Sequence, residues 1–153
     1  MFVDNANTTN ILKNMDIASK IKKLIEVVGK LGEIGLIIIE DEKEKVGMQK
    51  QIAAELNQAG VASAKNYLEV MDFLEKSKAF YYLEETDKLD DLMLEIIAEY
   101  KTGIVSLQDR KNSTGLRTVK FNPNDNYFIL ILSRKQVEAS GQFFEFIGPI
   151  ESF

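Results

Sequence analysis

The stretch Gly35–Glu44 reads GLIIIEDEKE, an apolar run that changes abruptly to charged residues. Side chains alternate between the two faces of a strand, and residues 36–39 leave neither face polar. The run therefore predicts an interior strand buried on both sides. The carboxylates after it indicate either the point where the chain meets water or the start of a metal or catalytic pocket.

Length and composition predict one folded domain. The chain has 153 residues, of which 45% are hydrophobic and 28% charged, as in ordinary globular proteins. The apolar run Tyr127–Leu132 is far shorter than the roughly 20 residues of a membrane helix, and the start MFVDNANTTN does not resemble a secretory signal. We expect a flexible lead-in at 1–12, a single domain at 13–153, no membrane contact and a cytoplasmic location.

Cysteine and histidine are both absent from the sequence. Their absence excludes disulfides, thiol nucleophiles and cysteine-based zinc sites, and it weakens most hydrolase and transition-metal hypotheses. Any chemistry must come from Asp, Glu, Lys, Ser, Thr or Tyr. The sequence predicts no cofactor.

Periodicity divides the chain into two parts. Apolar residues recur at helical spacing through the first two thirds and predict helices over 16–32, 46–59, 62–76 and 87–103, with short strands near 35–39 and 79–83. The last third has strand periodicity at 104–107, 117–121 and 127–132, with turn residues at 122–125. The aromatic segment 143–147 is expected to seal the core. The sequence thus predicts an α+β fold, helical in its first two thirds and followed by an antiparallel β meander.

Three glycines, Gly29, Gly32 and Gly35, give the spacing GxxGxxG. A phosphate-binding loop needs such glycines after a strand and before a helix, whereas here they lie between a helix and a strand. The pattern therefore indicates the end of a helix and the start of a strand.

Two predicted strands end in carboxylates, at Glu40 and Asp41 and again at Glu84 and Glu85. A parallel sheet could bring these ends together as a magnesium site. The same acids also suit a solvated strand end or the first turn of a helix. A carboxylate-metal enzyme is therefore one hypothesis for function.

The segment GLIIIEDE is also similar to the first strand of phosphoacceptor receiver domains. That resemblance implies an aspartate at the end of a central strand and a lysine at the end of a later one. Asp109 and Lys135 would have to take those places.

Residues 48–85, MQKQIAAELNQAGVASAKNYLEVMDFLEKSKAFYYLEE, resemble a winged helix-turn-helix domain. The resemblance implies that Ser63, Lys65 and Asn66 begin a DNA recognition helix. Acidic residues follow on that helix and oppose contact with phosphates. The alternatives are a protein-binding winged helix and two ordinary packed helices.

The order of predicted elements is similar to that of roadblock, longin and profilin domains, which implies protein binding and dimerisation. Charge is also unevenly distributed, and such asymmetry can orient a partner. The cations proposed for an interaction surface are Lys20, Lys23, Arg110, Lys111 and Arg117. The preferred function is a non-enzymatic regulatory or adaptor module that binds a partner protein or a second copy. A winged-helix DNA-binding regulator is the alternative.

Overall fold

A computed structural model of the protein describes residues 5–108 and 115–153, with side chains from residue 17 onward. In this part of the chain the helices are α1 Asn5–Leu31, α2 Lys45–Gln58, α3 Tyr67–Glu75, α4 Asp91–Glu99 and α5 Arg134–Ala139. The strands are β1 Ile34–Ile39, β2 Ala62–Ala64, β3 Phe80–Leu83, β4 Ile104–Gln108, β5 Leu116–Lys120, β6 Phe128–Ser133 and β7 Ile147–Ser152.

A five-stranded parallel sheet forms the centre of the fold, in the order β2-β3-β6-β1-β7. Strand β6 lies between β3 and β1, with Leu130 opposite both Tyr82 and Leu36. Strands β4 and β5 form a separate antiparallel pair. Because parallel neighbours need crossover connections, helices must alternate with the strands of the main sheet.

Helices cover both faces of this sheet. On one face, apolar residues of α1 and α2 pack against Ile37, Ile39, Ile129 and Ile131. On the other face, α3, α4, the β4–β5 hairpin and Val137 of α5 pack against the alternate residues of the same strands. The result is a three-layer α/β arrangement in which every residue of β1 and β6 is buried.

The predicted fold class is wrong. We expected an antiparallel meander in the last third, but β5 pairs with β4, while β6 enters the parallel sheet. The turn at Pro123–Asp125 carries the chain from the hairpin to the start of β6 instead of joining two paired strands. The physical reason is burial, since β6 is apolar on both faces and is stable only between two other strands. The likeness to roadblock, longin and profilin domains depended on the meander and fails with it.

Among the local predictions, one agrees with the structure and two differ from it. Strand β1 is an interior strand, as its apolar run predicts. The helix before it begins at Asn5, well ahead of the expected start near residue 16. The single helix predicted over 62–76 is instead β2 followed by α3. None of the helices in the described ranges is long and apolar enough to cross a membrane.

The glycines of the GxxGxxG pattern have structural roles. A Cβ at Gly29 would lie 2.0 Å from Cε1 of Tyr127, and one at Gly35 would lie 2.6 Å from Cγ2 of Val28. Gly32 ends α1 with a φ of +62°. These glycines allow α1 to lie close against the sheet.

Candidate functional site

The carboxyl edge of the parallel sheet is the usual position of a ligand site in this type of fold. In open α/β sheets ligands bind beyond the carboxyl ends of the strands, where neighbouring strands connect in opposite directions. Here β1 connects through α2 to β2 at one edge, and its neighbour β6 connects through α5 to β7 at the other. Helices α2 and α5 lie on opposite faces. The switch point therefore lies between the ends of β1 and β6.

An ion pair spans this switch point. Arg134, the first residue of α5, donates from Nη2 to Oε1 of Glu40 and from Nε to Oε2 at 3.3 Å. The hydroxyl of Ser152, at the end of β7, donates to Oε1 of Glu40 at 3.2 Å. Hydrogen bonds and the charge of Arg134 lower the pKa of Glu40, and the same contacts raise the pKa of Arg134. The pair ties together the ends of β1, β6 and β7.

A buried polar network lies at the end of β3. Glu84 is only 3% exposed, and its Oε1 accepts hydrogen bonds from the amide and hydroxyl of Thr86. Gln136 of α5 donates to the carbonyls of Glu84 and Thr86 at 2.7 and 2.6 Å. Its Oε1 accepts from the amide of Ser133 at 2.8 Å, which completes a capping box. The network joins β3 to α5.

Next to this network, burial and the adjacent Glu84 carboxylate raise the pKa of Tyr82. The Oε2 atom of Glu84 is buried and has no hydrogen-bond partner among the described residues. Most of the other polar atoms are used within the fold. The network therefore acts mainly as a structural connection.

The structure does not gather the carboxylates predicted to bind magnesium. Glu40 is paired with Arg134, and Asp41 accepts a hydrogen bond from the amide of Lys43 at 3.0 Å. Glu84 is buried in the network, whereas Glu85 is exposed. In the described side chains, no group of three or more carboxylates is placed to hold a metal ion.

The two residues that the receiver resemblance requires are placed as follows. Lys135 is exposed on α5, and Asp109 lies outside the described residues. The strand order here differs from the 2-1-3-4-5 order typical of receiver domains.

The residues predicted to contact DNA surround the start of α3. Ser63 is half-buried in β2, and Lys65 is exposed. The side chain of Asn66 accepts from the amide of Glu69 at 3.0 Å and so caps α3. Helices α2 and α3 pack on opposite faces of the sheet, with β2 between them in the chain. DNA binding through Lys65 stays a prediction.

Two of the cations predicted to form an interaction surface make contacts within the chain. Lys20 donates to the carbonyl of Ser152 at 2.8 Å, and its Nζ lies 5.2 Å from the ring centre of Phe153. Arg117 contacts Asp72 at 2.7 Å and Glu75 at 3.0 Å, and these contacts raise its pKa. Lys23 is exposed, and Arg110 and Lys111 lie outside the described residues.

An open groove beside α5 is the clearest candidate binding surface. We call it the α5 groove. It has a volume of about 570 Å³ and is lined by Arg134, Val137, Glu138, Gly141, Gln142, Phe144 and Glu145. Phe144 is 40% exposed, and its ring stacks on buried Phe143 with centroids 4.9 Å apart. The groove therefore has an ordered aromatic side chain in its wall.

The sequence did not predict this groove. We expected 143–147 to seal the core, but only Phe143 of that aromatic segment is fully buried, and Phe144 and Phe146 are exposed. The one local signal is Glu145, whose charge between two phenylalanines indicates that the segment faces water.

A second groove, of about 400 Å³, separates α1 from α2 and is lined by Ala18, Ile21, Lys22, Ile25, Glu26, Glu55, Gln58 and Ala59. Its charges have both signs, and its apolar floor is aliphatic. It lies along the first helix, where we expected a protein-binding surface, but it lacks an exposed aromatic side chain.

Three features of the described residues are thus candidates for function: the Glu40–Arg134 pair, the Glu84–Gln136 network and the α5 groove. In each of the first two, most polar groups already have hydrogen-bond partners within the chain, whereas the groove is open to solvent. No protein-family model matches the chain, and no curated protein matches it either.

Proposed function

We propose that the protein is a non-enzymatic regulatory or adaptor module that binds a partner protein through the α5 groove. The observation that carries this proposal is the exposure of Phe144 in the wall of a large groove. Aromatic side chains supply much of the binding energy at protein interfaces, and they do so best beside a concave surface.

The setting of Phe144 favours binding. Its ring stacks on Phe143, which is 1% exposed and fixed in the core. A side chain that is already ordered loses little conformational entropy when a partner covers it. Val137 and Gly141 line the same groove and leave room for an apolar side chain of the partner.

The polar residues of the carboxyl edge support a binding role over a catalytic one. Arg134 is held by Glu40, and Gln136 is held by two main-chain carbonyls. Contacts within the chain already use these polar groups, whereas the α5 groove is open to solvent. We assign this adaptor module to the cytoplasm, which suits a chain without cysteine.

A random peptide library displayed on phage, selected against the full chain, tests the proposal. Enriched peptides should bind the native protein in fluorescence polarisation and lose binding to the variant Phe144→Ser. Leu116→Ser is the matched control, because Leu116 is 67% exposed on β5 and does not line the groove. Thermal melts would verify that both variants fold. Failure to enrich any peptide, or equal binding to Phe144→Ser, would count against the proposal.

A further inference from the structure

Carboxylates surround the aromatic wall of the α5 groove. Glu138 lies on α5, and Glu145 follows Phe144 directly in the chain. Both side chains line the groove and are exposed. Glu145 makes no ion pair with any residue for which the structure describes a side chain.

Arg134 is the cation that lines this groove, and its charge is already compensated. Glu40 accepts two hydrogen bonds from its guanidinium, and Glu138 is close enough to contribute to its raised pKa. An anionic partner would have to compete with Glu40 for Arg134 and would also approach Glu138 and Glu145. A cationic partner would meet neither obstacle.

Building on the proposed function, we infer that the α5 groove binds a segment of a partner protein in which an apolar side chain is flanked by lysine or arginine. The apolar side chain packs against Phe144. The flanking cations reach Glu138 and Glu145 at the rim. Charge complementarity of this kind selects the partner and speeds association, while the apolar contact provides most of the affinity.

The sheet edge next to the groove is less suited to docking. Strand β7 is the last strand of the sheet, and an open edge can pair with a strand of another chain. However, Pro149 has no amide hydrogen to donate, and the carbonyl of Ser152 already accepts from Lys20. Both features oppose strand addition, so the groove is the better docking surface.

Two labelled peptides of equal length test the inference. Each has a central leucine, flanked by lysines in one peptide and by glutamates in the other. In fluorescence polarisation with the full chain, the lysine peptide should bind at least about tenfold more tightly, because each charge contact at a rim contributes modestly and two act together. Its affinity should fall as salt rises.

Variants separate the roles of charge and apolar contact. The double variant Glu138→Gln, Glu145→Gln should weaken binding of the lysine peptide by about three- to tenfold. The control Glu85→Gln, Glu95→Gln removes two exposed acids that do not line the groove and should leave binding unchanged. Phe144→Ser should abolish binding.

Each contrary outcome has a distinct meaning. Equal binding of both peptides, or unchanged binding to the Glu138, Glu145 double variant, would overturn the inference. Equal binding of the lysine peptide to native protein and Phe144→Ser would show nonspecific charge attraction and would also overturn it. If neither peptide binds but library peptides bind in a Phe144-dependent way, the inference fails and the proposed function stands. Sedimentation could instead show that the native protein is a dimer and that Phe144→Ser is a monomer. That result would identify a second copy of the chain as the occupant of the groove and would overturn the inference of a cationic segment.

Discussion

Arg134 and Glu40 form a bidentate ion pair across the switch point of the sheet, between the start of α5 and the end of β1. Residues 94 positions apart in the chain thus meet where a doubly wound sheet would ordinarily open into a ligand crevice. The pair, with Ser152, occupies this position, and the open surface lies beside it along α5.

This ion pair should make stability depend on acid pH. The folded pKa of Glu40 is below its ordinary value of 4.5. Its stabilising contribution is therefore complete above that value and is lost as pH falls through the lowered folded pKa. We expect Glu40→Gln to melt at a slightly lower temperature than the native protein at pH 7, with a difference that shrinks as pH falls below 4.5. Circular dichroism melts across this range measure the difference.

Glu145→Gln is the control for this experiment, since Glu145 lines the same region without an ion pair in the described part of the chain. Its melting temperature should follow that of the native protein at each pH. A difference for Glu40→Gln that is as large at pH 3 as at pH 7 would contradict the assignment.

Removing the Gln136 side chain should destabilise the fold. Gln136 is buried and donates to the carbonyls of Glu84 and Thr86. We expect Gln136→Ala to lower the free energy of unfolding by about 2 to 3 kcal/mol, because it leaves buried polar groups unsatisfied. Urea titrations would measure this change. Gln142→Ala, at an exposed position, should change stability by less than about 0.5 kcal/mol. Similar values for the two variants would show that the network contributes little.

A methyl group at Gly35 should force α1 away from β1. The added Cβ would lie 2.6 Å from Cγ2 of Val28 and 3.3 Å from Cδ1 of Leu24. We expect Gly35→Ala to lose about 1 to 3 kcal/mol of stability through overpacking. Gly47→Ala is a matched control, because nothing lies within 4 Å of the added Cβ and Gly47 is inside α2. That control should gain about 0.5 to 1 kcal/mol from helix propensity. Urea titrations measure the free energy of unfolding of both variants. A change of the same sign for Gly35→Ala and Gly47→Ala would refute this account.

The hydroxyl of Tyr100 should be dispensable. It is buried and has no hydrogen-bond partner among the described residues. Tyr100→Phe is expected to be neutral or to stabilise the protein by about 1 kcal/mol, because it removes an unpaired buried polar group. Tyr81→Phe should instead cost about 0.5 to 1 kcal/mol, since the Tyr81 hydroxyl donates to Oδ1 of Asn57 at 3.2 Å. Equal losses of unfolding free energy for Tyr100→Phe and Tyr81→Phe in urea titrations would contradict this prediction.

Alkaline pH should enlarge the difference in stability between Tyr100→Phe and the native protein. Burial raises the pKa of Tyr100 above its ordinary value of 10.0. The folded state therefore keeps the Tyr100 phenol protonated at pH values where the unfolded chain releases the proton. As pH rises above 10.0, this difference lowers the stability of the native protein. The advantage of Tyr100→Phe over the native protein should grow between pH 9 and pH 11. A constant difference over that range would argue against burial as the cause.

Much of the local structure was readable from the sequence. The run of residues 36–39 predicted a strand buried on both faces, and β1 is such a strand. The helices α2 and α4 follow their apolar periodicity. The segment Tyr127–Leu132 had the same two-faced apolar pattern, which is typical of a central parallel strand. We assigned it to a hairpin because turn residues precede it.

The surface of the candidate site was much less predictable. The sequence predicted that Phe143 and Phe144 both lie in the core, yet only Phe143 is buried. Glu40 could be recognised as the end of a strand, but its partner Arg134 could not. Aromatic side chains suit cores and binding surfaces equally, and an acidic residue pairs with whichever cation the fold brings near.

The sequence by itself determined that residues 36–39 form a strand buried on both faces, and that no cysteine or histidine is present to take part in chemistry. Hydrophobic periodicity and composition act between near neighbours in the chain, so they can be read without a structure. Only the tertiary structure decided the strand order, the pairing of Glu40 with Arg134 and the exposure of Phe144. These depend on contacts between residues far apart in the chain, which form only when all the strands compete for the same positions in one sheet.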